Sequence, residues 1–473
     1  MQSSLEKFPM NQARGHRIQT RENPGNKSLV GRPSVVVLGA GFAGLWAART
    51  LADGPVNVIL IDRYNYHTFF PLLYQVATAE LEPGAIAQPL RKIFWKKSNV
   101  HFYLGDVLDI NFSAKIVRIP DHEIPYDYLV VALGSKPNYY GIPGAADYAF
   151  ALKSLEQGVL LRNKILSSFE RAACEENSEV RQSKLTFTIV GGGPTGVAFA
   201  GTLTELIKGS LSRDFPNLDF KKVRVLLIEA ADCLIPDMPK HLSDYTEVRL
   251  QKMGVDVHLN SKVVKITPSE VFLKDGTRIA SQTVIWTAGV HGNIPGTGWG
   301  LATNRHNQVD VLPTLQVPGY PEAYIVGDLA GIQQDGQPLP MVSQVGIQTG
   351  SAAAKNILMQ VTGRTPLPFR YHDKGAIDVI GRNAAVARMW GFSFSGFVAW
   401  VIWAVLHIYR LIGFRNRLIL MINWAWDYLF REHGVRLIVP SESSLSQLST
   451  ARDNSEQAAF FADINHPQEV ERK

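Results

Sequence analysis

At 473 residues the chain exceeds the roughly 250–300 residues beyond which one core tends to split, so two or more domains are expected. A hydrophobic share of 46% with 39 glycines excludes a fibrous or disordered protein. Two cysteines, Cys174 and Cys233, exclude a disulfide framework or a Cys-x-x-Cys pair, and suit a reducing compartment. A net charge of +6 is compatible with anionic cofactors or an anionic membrane surface, and neither a nucleic-acid partner nor a metal site is expected.

Residues 1–33 are polar and basic, lack the apolar stretch of a secretory signal, and contain Glu6 and Glu22, which argue against a transit peptide; a disordered extension is expected. The first ordered stretch is SVVVLGAGFAGLWAARTL, residues 34 to 51. Its apolar run reads as a buried parallel strand that passes into a helix at Gly39, Gly41 and Gly44. Gly39 permits the tight turn, Gly41 lets a pyrophosphate approach the backbone, and Gly44 lets helix and strand pack closely. The phosphate then meets the free N–H groups of the helix N-terminus. The next strand, VNVILID, ends in Asp62, at roughly the 20-residue interval where an acid accepts hydrogen bonds from a ribose hydroxyl. YDYLVVALGS, residues 126 to 135, adds a strand ending at Gly134.

A second copy of the motif is LTFTIVGGGPTGVAFAGTL, residues 185 to 203, with Gly191, Gly193 and Gly196 at the same spacing and Pro194 opening the helix. The strand VRVLLIEA then ends in Glu229, a carboxylate that binds a free 2′-hydroxyl and repels a 2′-phosphate, which predicts a preference for NAD over NADP. Two such sites in one chain predict one tightly held flavin and one exchanging nicotinamide. TVIWTAGV, residues 283 to 290, ends at Gly289, and AYIVGDLAG, residues 323 to 331, brings Gly327 and Asp328 to a strand end. In open α/β sheets ligands sit in that crevice, although Asp328 also reads as a helix N-cap.

NYHTFFPLLYQVAT, NYYGIPG, GGGPTGV, TVIWTAG, SQVGIQTG, YHDKGAIDVIGRNAAVA and HIYRLIGFRNR, spread over about residues 34 to 440, resemble segments of the type II NADH:quinone oxidoreductases. The resemblance implies FAD held by Gly39, Gly41, Gly44, Asp62 and Asp328, with Gly134, Gly289 and Gly327 closing the dinucleotide sites. It implies NADH held by Gly191, Gly193, Gly196 and Glu229. Gln344 and Gln348 stand in a stretch that resembles the paired-glutamine quinone motif, with Ser343 and Gly346 where alanines are usual; their i, i+4 spacing places both amides on one helix face, and the alternative is a satisfied polar pair capping a helix near the flavin. Lys374 matches a cation near the flavin or quinone pocket, where it stabilises charge or forms a plain salt bridge. Two positions depart from the pattern: Ala198 stands where the family usually carries a glutamate, and Phe70 replaces a glutamine. Any proton role of that glutamate is absent or moved, and Glu205, two turns on, is a substitute to consider.

The resemblance implies electron transfer from NADH through FAD to a membrane quinone, without a cysteine relay and without proton pumping. Two other readings stay open: a reductase of a soluble acceptor, and a dinucleotide-binding redox sensor of slow turnover. The expected fold is α/β, with two Rossmann-like doubly wound domains, the NADH domain inserted in the FAD domain, and C-terminal amphipathic membrane-binding helices. The expected boundaries are an FAD domain over 34–155 and 285–370, an NADH domain over 156–284, a membrane-anchoring region over 371–440, and disordered ends at 1–33 and 441–473. Residues 394 to 409, FSGFVAWVIWAVLHIY, fall short of the roughly 20 apolar residues of a spanning helix and end against Arg410, Arg415 and Arg417. With LILMINWAWDYLF they suit helices lying among lipid headgroups, against the alternatives of a spanning or a dimer-forming helix. A homodimer, peripheral on the cytoplasmic face of the cell membrane, is expected.

Overall fold

The computed structural model describes residues 16–17, 31–295, 299–430 and 433–439; the rest of the extension and tail expected to be disordered lies outside the described residues. Strand Ser34–Leu38 is buried on both faces, as its unbroken apolar run requires. Val35 and Val37 pack with Leu45, Ala48 and Ile357, while Val36 and Leu38 pack with Ile61, Leu129 and Ile325 on the other side. Its sheet has the order Gln316–Val317, Tyr320–Ile325, Tyr128–Val131, Ser34–Leu38, Asn57–Asp62, Val100–Leu104. All pairs are parallel except the hairpin at the first edge.

A second sheet repeats this plan with five parallel strands in the order Ala149–Ala151, Thr283–Trp286, Thr186–Val190, Arg224–Ile228, Val255–His258. Strand Ala149–Ala151 joins this sheet from before residue 156, and its neighbour Thr283–Trp286 spans residue 284. The chain leaves and re-enters the first unit beside the antiparallel pair Ser135–Pro137 and Val290–Gly292. Residues His16–Arg17, inside the extension expected to be disordered, pair with His122–Glu123 at the edge of a small sheet.

Helix Ser343–Val361 returns to the first unit and lies across helix Phe42–Leu51. A Cβ on Gly350 would stand 2.0 Å from the carbonyl oxygen of Ala43, so glycine is what allows this approach. A three-stranded antiparallel sheet, Ala376–Gly381, Ala384–Met389 and Phe392–Ser395, then leads into helices Gly396–Arg410 and Phe414–Phe430. Buried Trp403 meets Trp424 at 5.0 Å between ring centroids, and Phe69 meets His407 at 5.9 Å, so aromatic contacts join the two helices and dock the first of them on the body. Their outer faces expose Phe397, Val398, Val405, Tyr409, Phe414, Ile422, Trp426 and Leu429. Among the described residues, no helix is long and apolar enough to cross a membrane.

Candidate active site

The first glycine loop forms where Ser34–Leu38 ends. Gly39 has φ +93°, its N–H donates to Ile61 O at 2.7 Å, and a Cβ there would stand 2.4 Å from Ala132 O. A Cβ on Gly44 would stand 1.8 Å from Gly39 O, so helix and turn touch backbone to backbone. Gly41 is different: nothing lies within 4 Å of where its Cβ would be, and no side chain caps helix Phe42–Leu51. That opening, in front of first-turn amides, fits a phosphate. Asp62 accepts hydrogen bonds from Ala40 N at 2.6 Å and Tyr64 N at 2.8 Å. Burial raises its pKa, while the Tyr64 and Ala40 donors oppose that shift.

The second loop repeats these relations. Gly191 has φ +111°, a Cβ on Gly196 would stand 1.9 Å from Gly191 O, and Gly193 is open. Glu229 accepts from Gly192 N at 2.6 Å and Ala231 N at 2.8 Å, so like Asp62 it binds the amide after the first glycine and the amide two residues beyond itself. Gly289, at φ +110°, lies against the hydroxyl of Tyr140, where a Cβ would come within 2.2 Å. Gly134 has φ +69° and open space before it.

Asp328 follows Gly327 in a single turn, Gly327–Leu329, rather than capping a long helix. Its carboxylate accepts from Ser135 Oγ at 2.6 Å, and Lys153 faces it. Burial lowers the Lys153 pKa and the Asp328 charge opposes that shift. Gly327 N donates to Thr349 Oγ1 at 3.1 Å and packs on Ala43, which brings the Gly-Asp turn, helix Phe42–Leu51 and the start of helix Ser343–Val361 to one place.

Gln344 and Gln348 start that helix and both turn toward segment 372–375. Gln348 is closed on the backbone of His372: its Nε2 donates to His372 O at 2.9 Å and its Oε1 accepts from His372 N at 3.0 Å. Gln344 Nε2 donates to Gly375 O at 2.9 Å, while its buried Oε1 has no partner. Lys374 lies exposed between the two anchored residues. The paired amides thus hold a loop, and Gln344 alone keeps a buried acceptor unused.

No sequence motif gives His67 a role of its own. It is buried, its Nδ1 donates to Ala40 O at 2.8 Å, and its Nε2 has no partner. Burial pushes its pKa down to about 4, so the ring stays neutral. It touches Phe42 edge-on at 5.3 Å, which holds the first loop from the side facing the C-terminal helices. Phe70 is 40% exposed beside this wall. Ala198 is buried in the helix behind the second loop. Glu205 accepts from Arg382 N at 2.6 Å, and burial pushes its pKa up to about 7. Among the described residues, no group of His, Cys, Asp or Glu is placed to hold a metal ion.

Residues 33–355 match the pyridine nucleotide-disulphide oxidoreductase family. The chain is 38% identical to the type II NADH:quinone oxidoreductase Ndh of Mycobacterium tuberculosis, over 91% of this chain and 94% of that one. It is 31% identical to the type II NADH:quinone oxidoreductase of Haemophilus influenzae, over 75% and 87% of the two chains. The chain belongs to the type II NADH:quinone oxidoreductase family. Its fold matches NDH2 of Plasmodium falciparum solved in complex with NADH, with a TM-score of 0.77 at 19% identity over 86% of this chain and 100% of that one. As a member, this type II NADH:quinone oxidoreductase uses FAD and NADH and reduces a quinone.

Proposed function

We propose that the first loop, Gly39, Gly41 and Gly44 with Asp62, holds FAD together with Gly134, Gly327 and Asp328. The second loop, Gly191, Gly193 and Gly196 with Glu229, binds NADH beside Gly289. The observation that carries this is the duplicated geometry: an open glycine before an uncapped helix, with an acid gripping the loop from the next strand. When bound, FAD supplies two-electron redox chemistry between NADH and quinone.

The chain's own residues supply position and charge. First-turn amides of Phe42–Leu51 and Pro194–Leu206 face the phosphates. Ser135 orients the Asp328 carboxylate, and Lys153 opposes its charge. Gln344 Oε1 is a bare acceptor that suits a ligand O–H or N–H, because a buried carbonyl oxygen without a partner is costly until something donates to it. Gln348 fixes the loop carrying Lys374, whose ammonium offsets negative charge developing on the reduced side of the site.

The quinone is a membrane quinone, and the exposed aromatic and aliphatic faces of Gly396–Arg410 and Phe414–Phe430 rest on the bilayer surface. Phe414, at 80% exposure, is followed by Arg415 and Arg417, which suit lipid phosphates. The protein is then a peripheral enzyme on the cytoplasmic face, and its remaining apolar surface suits a homodimer.

Anaerobic stopped-flow tests the assignment. NADH is expected to bleach the flavin quickly, NADPH far more slowly, and a short-chain quinone to restore the colour. Bleaching without recovery by quinone would sink the assignment of the acceptor site.

A further inference from the structure

Quinone reduction follows NADH + H⁺ + quinone → NAD⁺ + quinol, so every turnover draws a proton besides the hydride that NADH carries. Gln344 and Gln348 do not titrate, burial pushes both His67 and His407 down to about 4, and Glu205, pushed up to about 7, already holds Arg382 N on its carboxylate.

Asp378 is placed to store that proton. It lies on strand Ala376–Gly381, just beyond Gly375, whose carbonyl Gln344 binds. The open edge of that strand runs along helix Pro194–Leu206. A Cβ on Gly201 would stand 1.6 Å from Ile380 O, and Arg382 N donates to Glu205. Four helical residues rise about 6 Å and two strand residues about 6.6 Å. The same register therefore brings Asp378 level with Val197 and Ala198, one turn behind the second glycine loop. The charge of Asp237 acts on Asp378 from the segment after Glu229, which is tied to that loop by Ile235 N donating to Gly192 O at 2.9 Å. Asp237 is exposed, whereas Asp378 is partly buried. Burial and the Asp237 charge together push the Asp378 pKa up to about 7.

Charged groups on the other elements packed against this strand have their own engagements. Glu205 of helix Pro194–Leu206 takes Arg382 N, and Arg249 of helix Lys240–Met253 donates to Arg382 O at 3.3 Å. Arg388 of strand Ala384–Met389 pairs with Asp373 at 3.2 Å. In helix Gly396–Arg410, His407 donates to Trp403 O, and Arg410 acts on Tyr371.

We propose that Asp378 stores the proton consumed in each turnover and that solvent-facing Asp237 refills it. The Asp378 O–H bond breaks as a quinol O–H bond forms, directly or across a water; the electrons come from NADH, and water returns a proton through Asp237. This rests on the quinone-reductase reading given above.

The test uses the FAD-loaded full chain and the variants Asp378→Asn, Asp378→Glu and Asp237→Asn. For the wild type, quinone-dependent flavin reoxidation is expected to fall about tenfold per pH unit above pH 7. Asp378→Asn is expected to be slower by about a hundredfold at pH 6 with that slope gone. Asp378→Glu retains a slope with a displaced break, and Asp237→Asn moves the break to lower pH, because removing a like charge favours ionisation of Asp378. A second readout needs no turnover. A carboxyl with a raised folded pKa stabilises the fold below the unfolded value near 4, and that stability is lost as pH rises through about 7. The wild-type melting temperature should therefore fall relative to Asp378→Asn across pH 4–7. A sloping profile retained by Asp378→Asn, or a melting difference independent of pH, overturns the proposal; if Asp378→Asn does not fold, an Asp378→Glu break unmoved from wild type overturns it. A wild type that passes no electrons to quinone overturns the quinone reading instead, and the melting profile still decides whether Asp378 holds a proton.

Discussion

The two glycine loops share one backbone geometry but differ in what covers them. In both, a positive-φ glycine starts the turn, the third glycine touches its carbonyl, and an acid binds the amide after the first glycine. The first helix opens with Phe42 and Ala43, which His67, Gly327 and Gly346 cover. The second opens with Pro194 and Thr195, both exposed. On the proposed assignment, equal recognition with unequal cover suits a cofactor that stays in the first loop and a substrate that leaves the second.

The sharpest break of this symmetry is steric. Gly44→Val places atoms inside the 1.8 Å gap to Gly39 O and should yield protein purified without flavin absorbance. Gly196→Val, with 1.9 Å to Gly191 O, should keep the flavin and lose its reduction by NADH. Loss of flavin from both variants would show that the loops fold as one unit.

Glu229→Ser removes an acceptor of two loop amides and, on the proposed assignment, of the ribose. Hydrogen bonds to charged groups are worth about 1.5–3 kcal/mol, so the NADH KM should rise roughly tenfold to hundredfold while NADPH is discriminated against less. A pair of steady-state titrations measures both.

Gln344→Ala should raise the quinone KM by roughly twofold to tenfold, the value of one neutral hydrogen bond, with the rate of flavin bleaching by NADH held. A matching rise in the NADH KM would show that Gln344 supports the whole site.

The smallest effect is expected from His67→Phe, read by thermal unfolding against pH. The folded pKa of about 4 lies below the ordinary 6.5, so the unfolded chain takes up a proton first. Stability from this group is present above about pH 6.5 and is lost as pH falls toward 4. The variant should lose less stability over that window than wild type; parallel curves would mean that His67 does not titrate on unfolding.

The glycine loops, their acids and the order of the two units were legible because each is a short-range demand: φ, close approach and strand-to-helix spacing act over a few residues. The paired glutamines were legible only in part. Their i, i+4 spacing placed Gln344 and Gln348 on one face, but the structure closes Gln348 on His372 and leaves Gln344 with an unused oxygen. The apolar runs before Arg410 and after Arg417 announced two helices, and Trp403 on Trp424 shows which faces turn inward.

By itself the sequence determined two dinucleotide loops, an acid after each, and a terminal apolar region edged with arginine, since local backbone geometry and hydrophobic period dictate these. The tertiary structure alone decided that His67 braces the first loop, that Ala149–Ala151 joins the second sheet, and that the Asp237 charge acts on Asp378. Those relations join residues tens to hundreds of positions apart, and their energies come from burial and proximity, which exist only once the chain has packed.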